Sequence, residues 1–356
     1  RQRQMCIRDR IHVHHPVLVG QTALYLGKKY NIPVAYTYHT RYEEYLHHFK
    51  LYEAMASGEY PVSRIARYGK EILVPALITA FSNQCDLVFA PTSTMKDHLL
   101  EQGTKTRISV LPTGLDRVSF QYDEMLSSEI RNMYGNGCPY LFATTARLEK
   151  EKNLDFLFRG TARLRDILGQ DFRLMVIGDG TERRHLEELA RMLGISRQIV
   201  FTGKIENTRV RHYLNAADAF LFASKSETQG IVLLEAMAAG CPVAAVRASG
   251  VVDVVRQGIN GYMTEEAPEA FAAAAARLVL ERGVWSGMSE EARKTAELYE
   301  SGRIAALAAE QYGLMTGQKE DAGYEEHGKG MLVPSILRLF LSLIHISEPT
   351  RPEPIS

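Results

Sequence analysis

The amino-acid sequence predicts an α/β protein of two domains, each built on a parallel sheet with helices on both faces. Two observations support this prediction. Short, wholly apolar runs rich in β-branched and aromatic residues alternate with amphipathic helical segments along most of the chain. Such runs are typical of parallel strands that are buried on both faces. The length of 356 residues is also sufficient for two domains of ordinary size.

The C-terminal part, predicted as a domain over residues 119–286, is the more complete one. Six strand-like runs alternate there with helical segments, which predicts a complete Rossmann-like domain. The strand-like runs are YLFATT, FRLMVIG, IVFTG, AFLFAS, PVAAV and GYM. The helical segments lie near residues 153–168, 181–193, 207–216, 230–239 and 251–257.

The N-terminal part, predicted as a domain over residues 11–118, is smaller. It contains three or four strand-like runs, namely IHVHH, VAYTYH, DLVFAP and RISVLP. Its helical segments lie near residues 17–30, 62–84 and 92–101. The pattern resembles the second half of a doubly wound domain, so we expect the chain to start inside this domain, without its opening strands.

Two segments are predicted to connect the domains. PTGLD at residues 112–116 and the polar residues up to Gly137 would form the first crossing. Helical stretches at 287–299 and 302–315, within residues 287–316, would lead back across the cleft. Residues 317–340 are interpreted as a tail.

The two ends of the chain are related at the nucleotide level. MCIRDR at residues 5–10 can be encoded by ATG TGT ATA AGA GAC AG, whose reverse complement encodes LSLIHI, the sequence of residues 341–346. Because unrelated native segments have little reason to be complementary, we expect residues 1–10 and 341–356 to be translated sequencing adapter. The apolar run at residues 331–346 is therefore not expected to be a membrane anchor. Its second half belongs to the adapter, and Pro334 and Arg338 interrupt its first half.

Composition limits the partners and the compartment. The 42 Lys and Arg residues balance the 42 Asp and Glu residues, so net charge provides no general attraction to nucleic acid, and we expect no such partner. The 4 cysteines are scattered without CxxC spacing, which favours neither a disulfide framework nor a zinc site. A cytoplasmic location follows as the expectation.

Unusual polar residues follow successive strands of the C-terminal domain. Arg147 and Lys152 follow the first strand, GDG with Gly178 and Gly180 the second, TGK the third and SETQG the fourth. Ligands of open parallel sheets bind beyond the carboxyl ends of the strands, near helix N-termini. These residues are therefore expected to form one binding site.

The residue types in this site suit a nucleotide sugar. Two cations and helix N-termini suit a diphosphate, and the glycines let the backbone approach it. Carboxylates suit vicinal hydroxyl groups because they accept two hydrogen bonds at once. Glu227, in a turn, would face a hexose, and Glu235, about one turn into the next helix, would face a ribose. Taken singly, Arg147 or Lys152 is more often a solvated loop cation, GDG is a turn, and two glutamates at this spacing are common by chance. The prediction therefore depends on the joint placement of these residues at successive strand ends.

The motifs ARLEKEKN, VIGDG, FTGK, SETQGIVLLEAMAAGCPV and GINGY together resemble the retaining glycosyltransferases of family 4, over residues 11 to about 316. The resemblance implies the GT-B fold, in which two Rossmann-like domains face a cleft. It also implies that Arg147 and Lys152 bind the diphosphate, so that neither a metal ion nor another cofactor is expected. Glu227 would contact the donor sugar and Glu235 the ribose. The expected donor site further includes Gly178, Gly180, Lys204, Thr228, Gln229, Gly230 and Ile231.

The acceptor side is predicted from YTYHTRYEEYLHHF at residues 36–49. His39 directly follows a predicted strand, and the resemblance implies that it lies beside the reacting sugar. The continuation with Tyr42 and Tyr45 is similar to bacterial enzymes that glucosylate 1,2-diacylglycerol, and Gln229 in SETQG agrees with that subgroup. We therefore expect Tyr42 and Tyr45 to bind a lipid acceptor. The expected catalytic residues are His39, Arg147, Lys152 and Glu227.

Two further patterns have alternative explanations. Arg64, Arg67 and Lys70 recur at three-residue intervals, as in a helix on an anionic membrane surface or equally in a solvated helix. A lipid acceptor favours the first explanation and a peripheral position on the inner face of the plasma membrane. HVHH at residues 12–15 is interpreted as a strand end that lines the cleft, because no acidic or cysteine partner at ligand spacing supports zinc.

The expected function is transfer of glucose from UDP-glucose to a diacylglycerol hydroxyl, with retention of the anomeric configuration. No residue is an evident nucleophile, and the resemblance implies a front-face attack in which the departing phosphate takes the acceptor proton. The alternatives are a glycan or polyisoprenoid acceptor, a nucleotide-sugar-binding fragment without catalysis, and a nucleotide-sugar epimerase on the same fold. The sequence predicts no oligomeric state.

Overall fold

The computed structural model describes residues 10–39, 41, 72–225 and 227–321. The predictions for Tyr42 and Tyr45, for the basic segment at residues 64–70 and for the chain ends other than Arg10 lie outside these residues. Contacts divide the chain into two compact units, one of Arg1–Val110 with Ala308–Ser356 and the other of Leu111–Leu307. The domain limits given above remain predictions.

The first unit contains a parallel sheet in the order β1-β2-β3-β4, as its apolar runs predict. The strands are β1 (Ile11–Val13), β2 (Val34–Thr37), β3 (Leu87–Ala90) and β4 (Ile108–Val110). The helices described in this part are α1 (Val19–Tyr30), α2 (Val74–Ser82) and α3 (Ser93–Glu101). Tyr36, Phe81 and Leu99 are buried in the core between sheet and helices.

The second unit is organised around a six-stranded parallel sheet in the order β10-β9-β8-β5-β6-β7. The order runs outward from β5 in one direction and then from β8 in the other, so the topological switch point lies between β5 and β8. The strands are β5 (Tyr140–Thr145), β6 (Phe172–Ile177), β7 (Ile199–Gly203), β8 (Ala219–Phe222), β9 (Val243–Val246) and β10 (Gly261–Thr264).

Helices cover both faces of this sheet. They are α4 (Glu124–Gly135), α5 (Leu154–Leu168), α6 (Arg183–Met192), α7 (Asn207–Ala216), α8 (Ile231–Ala238), α9 (Ser249–Val252), α10 (Pro268–Leu280) and α11 (Arg282–Glu297). The last helix, α12 (Ser301–Asp321), begins in this unit. None of the helices among the described residues combines the length and apolarity that a membrane span requires.

Side chains on the strands alternate between two cores, as the period of two in a strand dictates. In β5, Phe142 packs with residues of α5 and α10 on one face. Its neighbours Leu141 and Ala143 pack with residues of α8 and α11 on the other face. Each fully buried Phe or Leu contributes about 1.5–3 kcal/mol to stability. The two cores therefore hold the carboxyl ends of the strands in fixed positions.

The polar residues up to Gly137, predicted as part of the first crossing, contain a helix that was not predicted, because α4 occupies most of them. Its N-terminus is capped by the Asp123 carboxylate, which accepts a hydrogen bond from the backbone N–H of Leu126 at 3.0 Å. Its C-terminus is ended by Asn136 in the left-handed conformation.

One expectation about local structure was wrong, since the helix expected near residues 251–257 ends at Val252, as α9. The reason is Asn260, whose buried side chain accepts from the N–H of Arg256 at 2.8 Å and donates to the carbonyl of Val254 at 3.0 Å. These bonds fold residues 254–260 into a compact loop, so the local backbone has an alternative to helical hydrogen bonds.

Candidate active site

A cavity of about 250 Å³ lies where β5 and β8 end, at the switch point of the second unit. Three of the predicted catalytic residues, Arg147, Lys152 and Glu227, line it together. The other residues that line the cavity are Thr144, Thr145, Ala146, Leu154, Phe222, Ala223, Ser224 and Val232. The cavity therefore combines an apolar wall with two cations and one carboxylate, as a small-molecule site requires.

The two cations reach the cavity from the loop between β5 and α5. Arg147 follows β5 directly, and its largely exposed guanidinium has Nη2 3.5 Å from Oε1 of Glu151. Lys152 ends a short 3-10 turn, after which Asn153 adopts φ 55° and starts α5. The Lys152 side chain is only 19% exposed, and its Nζ lies 3.9 Å from Oε2 of Glu227. At that distance the two charges attract each other without a normal hydrogen bond.

Glu227 lies in the turn between β8 and α8, and both its side chain and its backbone are held. Its Oε1 accepts a hydrogen bond from the N–H of Gly230 at 3.2 Å, just before α8 begins. Its carbonyl accepts from the N–H of Gly250 at 3.0 Å and from Oγ of Ser249 at 2.9 Å. Gly230 has φ 75°, and a Cβ there would lie 2.8 Å from the Gly250 carbonyl, so only glycine fits.

Gly178 and Gly180 support the Arg147 loop. A Cβ on Gly178 would lie 2.0 Å from the carbonyl oxygen of Ala146, and one on Gly180 would lie 2.4 Å from that of Leu148. The N–H of Leu148 also donates to the carbonyl of Asp179 at 3.1 Å. These glycines therefore let the two loops pack backbone to backbone. Their expected approach to a ligand stays a prediction.

The remaining predicted donor residues lie at different depths. Thr228 and Ile231 are half-buried on either side of Gln229 and Gly230, and Lys204 is exposed directly after β7. Glu235 lies one turn into α8, as predicted, and burial raises the pKa of its carboxyl group. Glu235 is not one of the described residues that line the cavity. Its expected contact with a ribose stays a prediction.

The Gln229 side chain is buried and turned toward the backbone of Thr113. Its Nε2 donates to the Thr113 carbonyl at 3.1 Å, and its Oε1 accepts from the Thr113 N–H at 3.0 Å. Both ends of the amide are thus engaged within the protein, and a contact with the donor would have to come from the Gln229 backbone. The sequence contained no signal for this pairing, because 116 positions separate the two residues.

A histidine cluster lies in the first unit, where β1 and β2 end. His39, which follows β2, has Nε2 2.7 Å from Nδ1 of His14, and the two rings stack at 5.0 Å. His12 contacts Oγ1 of Thr37 through Nε2 at 2.7 Å and the hydroxyl of Tyr312 through Nδ1 at 2.5 Å. The HVHH motif pointed to this cluster, whereas nothing in the sequence indicated Tyr312.

The surroundings of two imidazoles in this cluster, those of His12 and His39, favour their neutral form. Burial, and then the neighbouring charges of His14 and His39, lower the pKa of His12 to about 4. Burial and then His14 lower the pKa of His39 as well. Among the described residues, no group of three or more His, Cys, Asp or Glu side chains has an arrangement that could hold a metal ion.

Two family models match the sequence. The model described as "Glycosyl transferases group 1" matches residues 129–296, which include Arg147, Lys152 and Glu227. The model described as "Glycosyltransferase Family 4" matches residues 8–118, which include His39. The cavity at the switch point and the histidine cluster thus each fall within a matched region.

Individual relatives agree with these matches. The chain is 32% identical over 244 residues to an alpha-monoglucosyldiacylglycerol synthase of Streptococcus pneumoniae, which covers 67% of this chain and 51% of the relative. It is 27% identical over 322 residues to a D-inositol 3-phosphate glycosyltransferase of Salinispora arenicola, which covers 86% of this chain and 68% of the relative. The chain therefore spans about half the length of the first relative and two thirds of the second.

A solved structure shares the fold. Anabaena HepE in complex with UDP-glucose superposes with a TM-score of 0.69 over 86% of this chain and 79% of that chain, at 18% identity. The expected GT-B fold is thereby confirmed. Because the two family models together match most of its length, the chain belongs to the glycosyltransferases of family 4.

Proposed function

We propose that this chain is part of a retaining glycosyltransferase that moves glucose from UDP-glucose to 1,2-diacylglycerol. One observation supports UDP-glucose as the donor. Arg147, Lys152 and Glu227 line the same cavity at the switch point. The UDP-glucose bound by the structural neighbour is consistent with this donor. The diacylglycerol in the name of the Streptococcus relative supports the acceptor.

In this proposal the diphosphate binds the two cations. Lys152 is mostly buried, so its charge is less screened by water than a surface lysine and acts strongly on a nearby anion. Arg147 is exposed beside it and can donate two parallel hydrogen bonds to phosphate oxygens. Together they neutralise the charge that would otherwise call for a metal ion.

The same cations would promote departure of the nucleotide. Negative charge builds up on the diphosphate as the glycosidic bond breaks, and fixed donors aimed at that charge stabilise the transition state. Glu227 would accept hydrogen bonds from hydroxyl groups of the hexose. The departing phosphate would take the proton of the acceptor hydroxyl as that hydroxyl attacks from the same face.

The donor half is tested by Arg147→Ala and Lys152→Ala. We expect each change to reduce turnover of labelled UDP-glucose about 100-fold or more, since each removes a charged donor to the leaving group. Arg163→Ala is the control. Arg163 is an exposed arginine on α5, and its Nε lies 3.0 Å from Oε1 of Glu269. Near-normal turnover by both site variants would contradict the proposal.

The acceptor half needs its own experiment, because the relatives differ in their named acceptors. An inositol phosphate acceptor is the second candidate, and the name of the Salinispora relative supports it. Labelled UDP-glucose should be incubated with diacylglycerol vesicles, inositol phosphate, glycans and polyisoprenoid phosphate in parallel. The proposal predicts label in the diacylglycerol product alone, and a peripheral position on the membrane. Label in another acceptor would overturn it.

Calorimetry with UDP, beside the transfer assay, distinguishes a chain that only binds the nucleotide from one that also catalyses transfer. A chain that binds UDP and transfers no sugar to any acceptor would be a nucleotide-sugar-binding fragment. A chain that does both is an enzyme in its own right.

A further inference from the structure

The turn that carries Glu227 is held from two sides. On one side, the Glu227 carbonyl accepts hydrogen bonds from Gly250 and Ser249 at the start of α9. On the other side, Gln229 binds both backbone groups of Thr113. Gln229 as a whole residue is 3% exposed, so water competes poorly for these two bonds.

Thr113 belongs to residues 111–116, which we call the connecting segment because it follows β4 at the start of the second unit. This segment is itself fixed. The N–H of Leu115 donates to the Tyr299 carbonyl at 2.7 Å, and the N–H of Ser301 donates to the Leu115 carbonyl at 2.8 Å. A Cβ on Gly114 would lie 2.7 Å from Cα of Ser301, so the two chains are in backbone contact.

The contacts form a continuous chain within the second unit. It runs from the start of α12 at Ser301, through the connecting segment and Gln229, to Glu227 two residues away. Two parallel hydrogen bonds fix both the position and the orientation of an amide, whereas a single bond leaves it free to rotate. A displacement of the connecting segment would therefore move the Glu227 turn.

We propose that Gln229 is a positioning residue, which sets the position of Glu227 on the donor sugar by clamping the turn to the connecting segment. The inference rests on the proposed function for the donor site. Gln229 acts through Glu227 and leaves the diphosphate to Arg147 and Lys152, which belong to a different loop. Loss of the clamp should therefore impair recognition of the sugar more than recognition of UDP.

The test compares Gln229→Met with the unchanged chain. Met has a similar length and no hydrogen-bonding amide, so it removes the clamp while it fills the space. We expect the KM for UDP-glucose to rise or kcat to fall by about tenfold, while calorimetric affinity for UDP changes by less than about threefold. Gln229→Ala should likewise impair the kinetics with UDP-glucose more than the affinity for UDP.

Asn260→Ala is the matched control. Asn260 is also a buried amide that joins two backbone groups of the second unit, but it lies in the loop before β10. The Asn260→Ala variant should lower the melting temperature. It should not impair use of UDP-glucose more than it impairs binding of UDP. An equal loss of UDP binding and turnover in Gln229→Met, or no change in either, would overturn the inference. Failure of the unchanged chain to bind UDP would instead contradict the proposed function.

Discussion

At the scale of single residues, Lys152 and Glu227 form the centre of the site. Their charged atoms lie 3.9 Å apart, and both side chains are less than one fifth exposed. The attraction lowers the cost of burying either charge. In the proposed function, a diphosphate would therefore compete with Glu227 for Lys152. The pair would then join the proposed diphosphate position to the proposed sugar position through one contact.

Replacement of Glu227 by Gln should separate the effect of Glu227 on UDP affinity from its effect on turnover. Gln keeps an oxygen that can accept from Gly230, and it removes the negative charge that competes for Lys152. We expect UDP affinity, measured by calorimetry, to stay equal or increase, while turnover falls about 100-fold because the sugar loses a charged acceptor. A parallel loss of UDP affinity would show that Glu227 acts on the diphosphate.

His12 makes stability depend on pH. Its pKa is lowered to about 4 in the folded chain, against 6.5 for the unfolded reference, so the unfolded state binds more protons between these values. The free energy of unfolding should therefore fall by about 2–3 kcal/mol as the pH drops from 6.5 to 4. Charged or titratable neighbours are His14, His39 and Tyr312, with Arg10 over the Tyr312 ring.

Denaturant unfolding at several pH values measures this effect. His12→Gln, which retains hydrogen-bonding capacity for Thr37 and Tyr312 without a titration near neutral pH, should flatten the dependence. An unchanged slope in that variant would show that another group is responsible.

At the scale of helices and strands, local pattern predicted most of the second unit. YLFATT and IVFTG coincide with β5 and β7 because a wholly apolar run is buried wherever it lies in a parallel sheet. The site cations could be placed because both lie in the loop that follows one such strand, β5. By contrast, α4 was missed because its buried stripe, with Ser127 and Ile130, is short and partly polar. The extent of α9 depends on Asn260, and that contact is not visible in a local window.

The packing role of Gly180 was missed for a similar reason, since its neighbour Leu148 lies on another loop. Gly180→Ala places a Cβ 2.4 Å from the Leu148 carbonyl, so we expect a loss of about 1–3 kcal/mol in unfolding free energy and weaker UDP binding. Gly287→Ala in α11 is the control, because no atom lies within 4 Å of its added Cβ and alanine favours a helix. Thermal denaturation would show the difference, and equal melting temperatures would refute the packing explanation.

At the scale of the whole chain, the residues assigned to the donor lie within residues 147–235, inside the single unit of Leu111–Leu307. That unit has a six-stranded sheet with a core on each face, so its loops rest on fixed strands. Donor binding should therefore be a property of this unit. The predicted acceptor residues Tyr42 and Tyr45 lie outside the described residues, and the proposed acceptor is supported by sequence similarity.

The central claim is that Arg147 and Lys152 hold the diphosphate of a nucleotide sugar. Its most direct test is calorimetric titration of the chain with UDP-glucose, beside the double variant Arg147→Ala with Lys152→Ala and the control Arg163→Ala. We expect saturable binding by the unchanged chain and the control, and a loss of affinity of about 100-fold or more in the double variant, equivalent to about 2.7 kcal/mol. Equal affinity in all three proteins would contradict it.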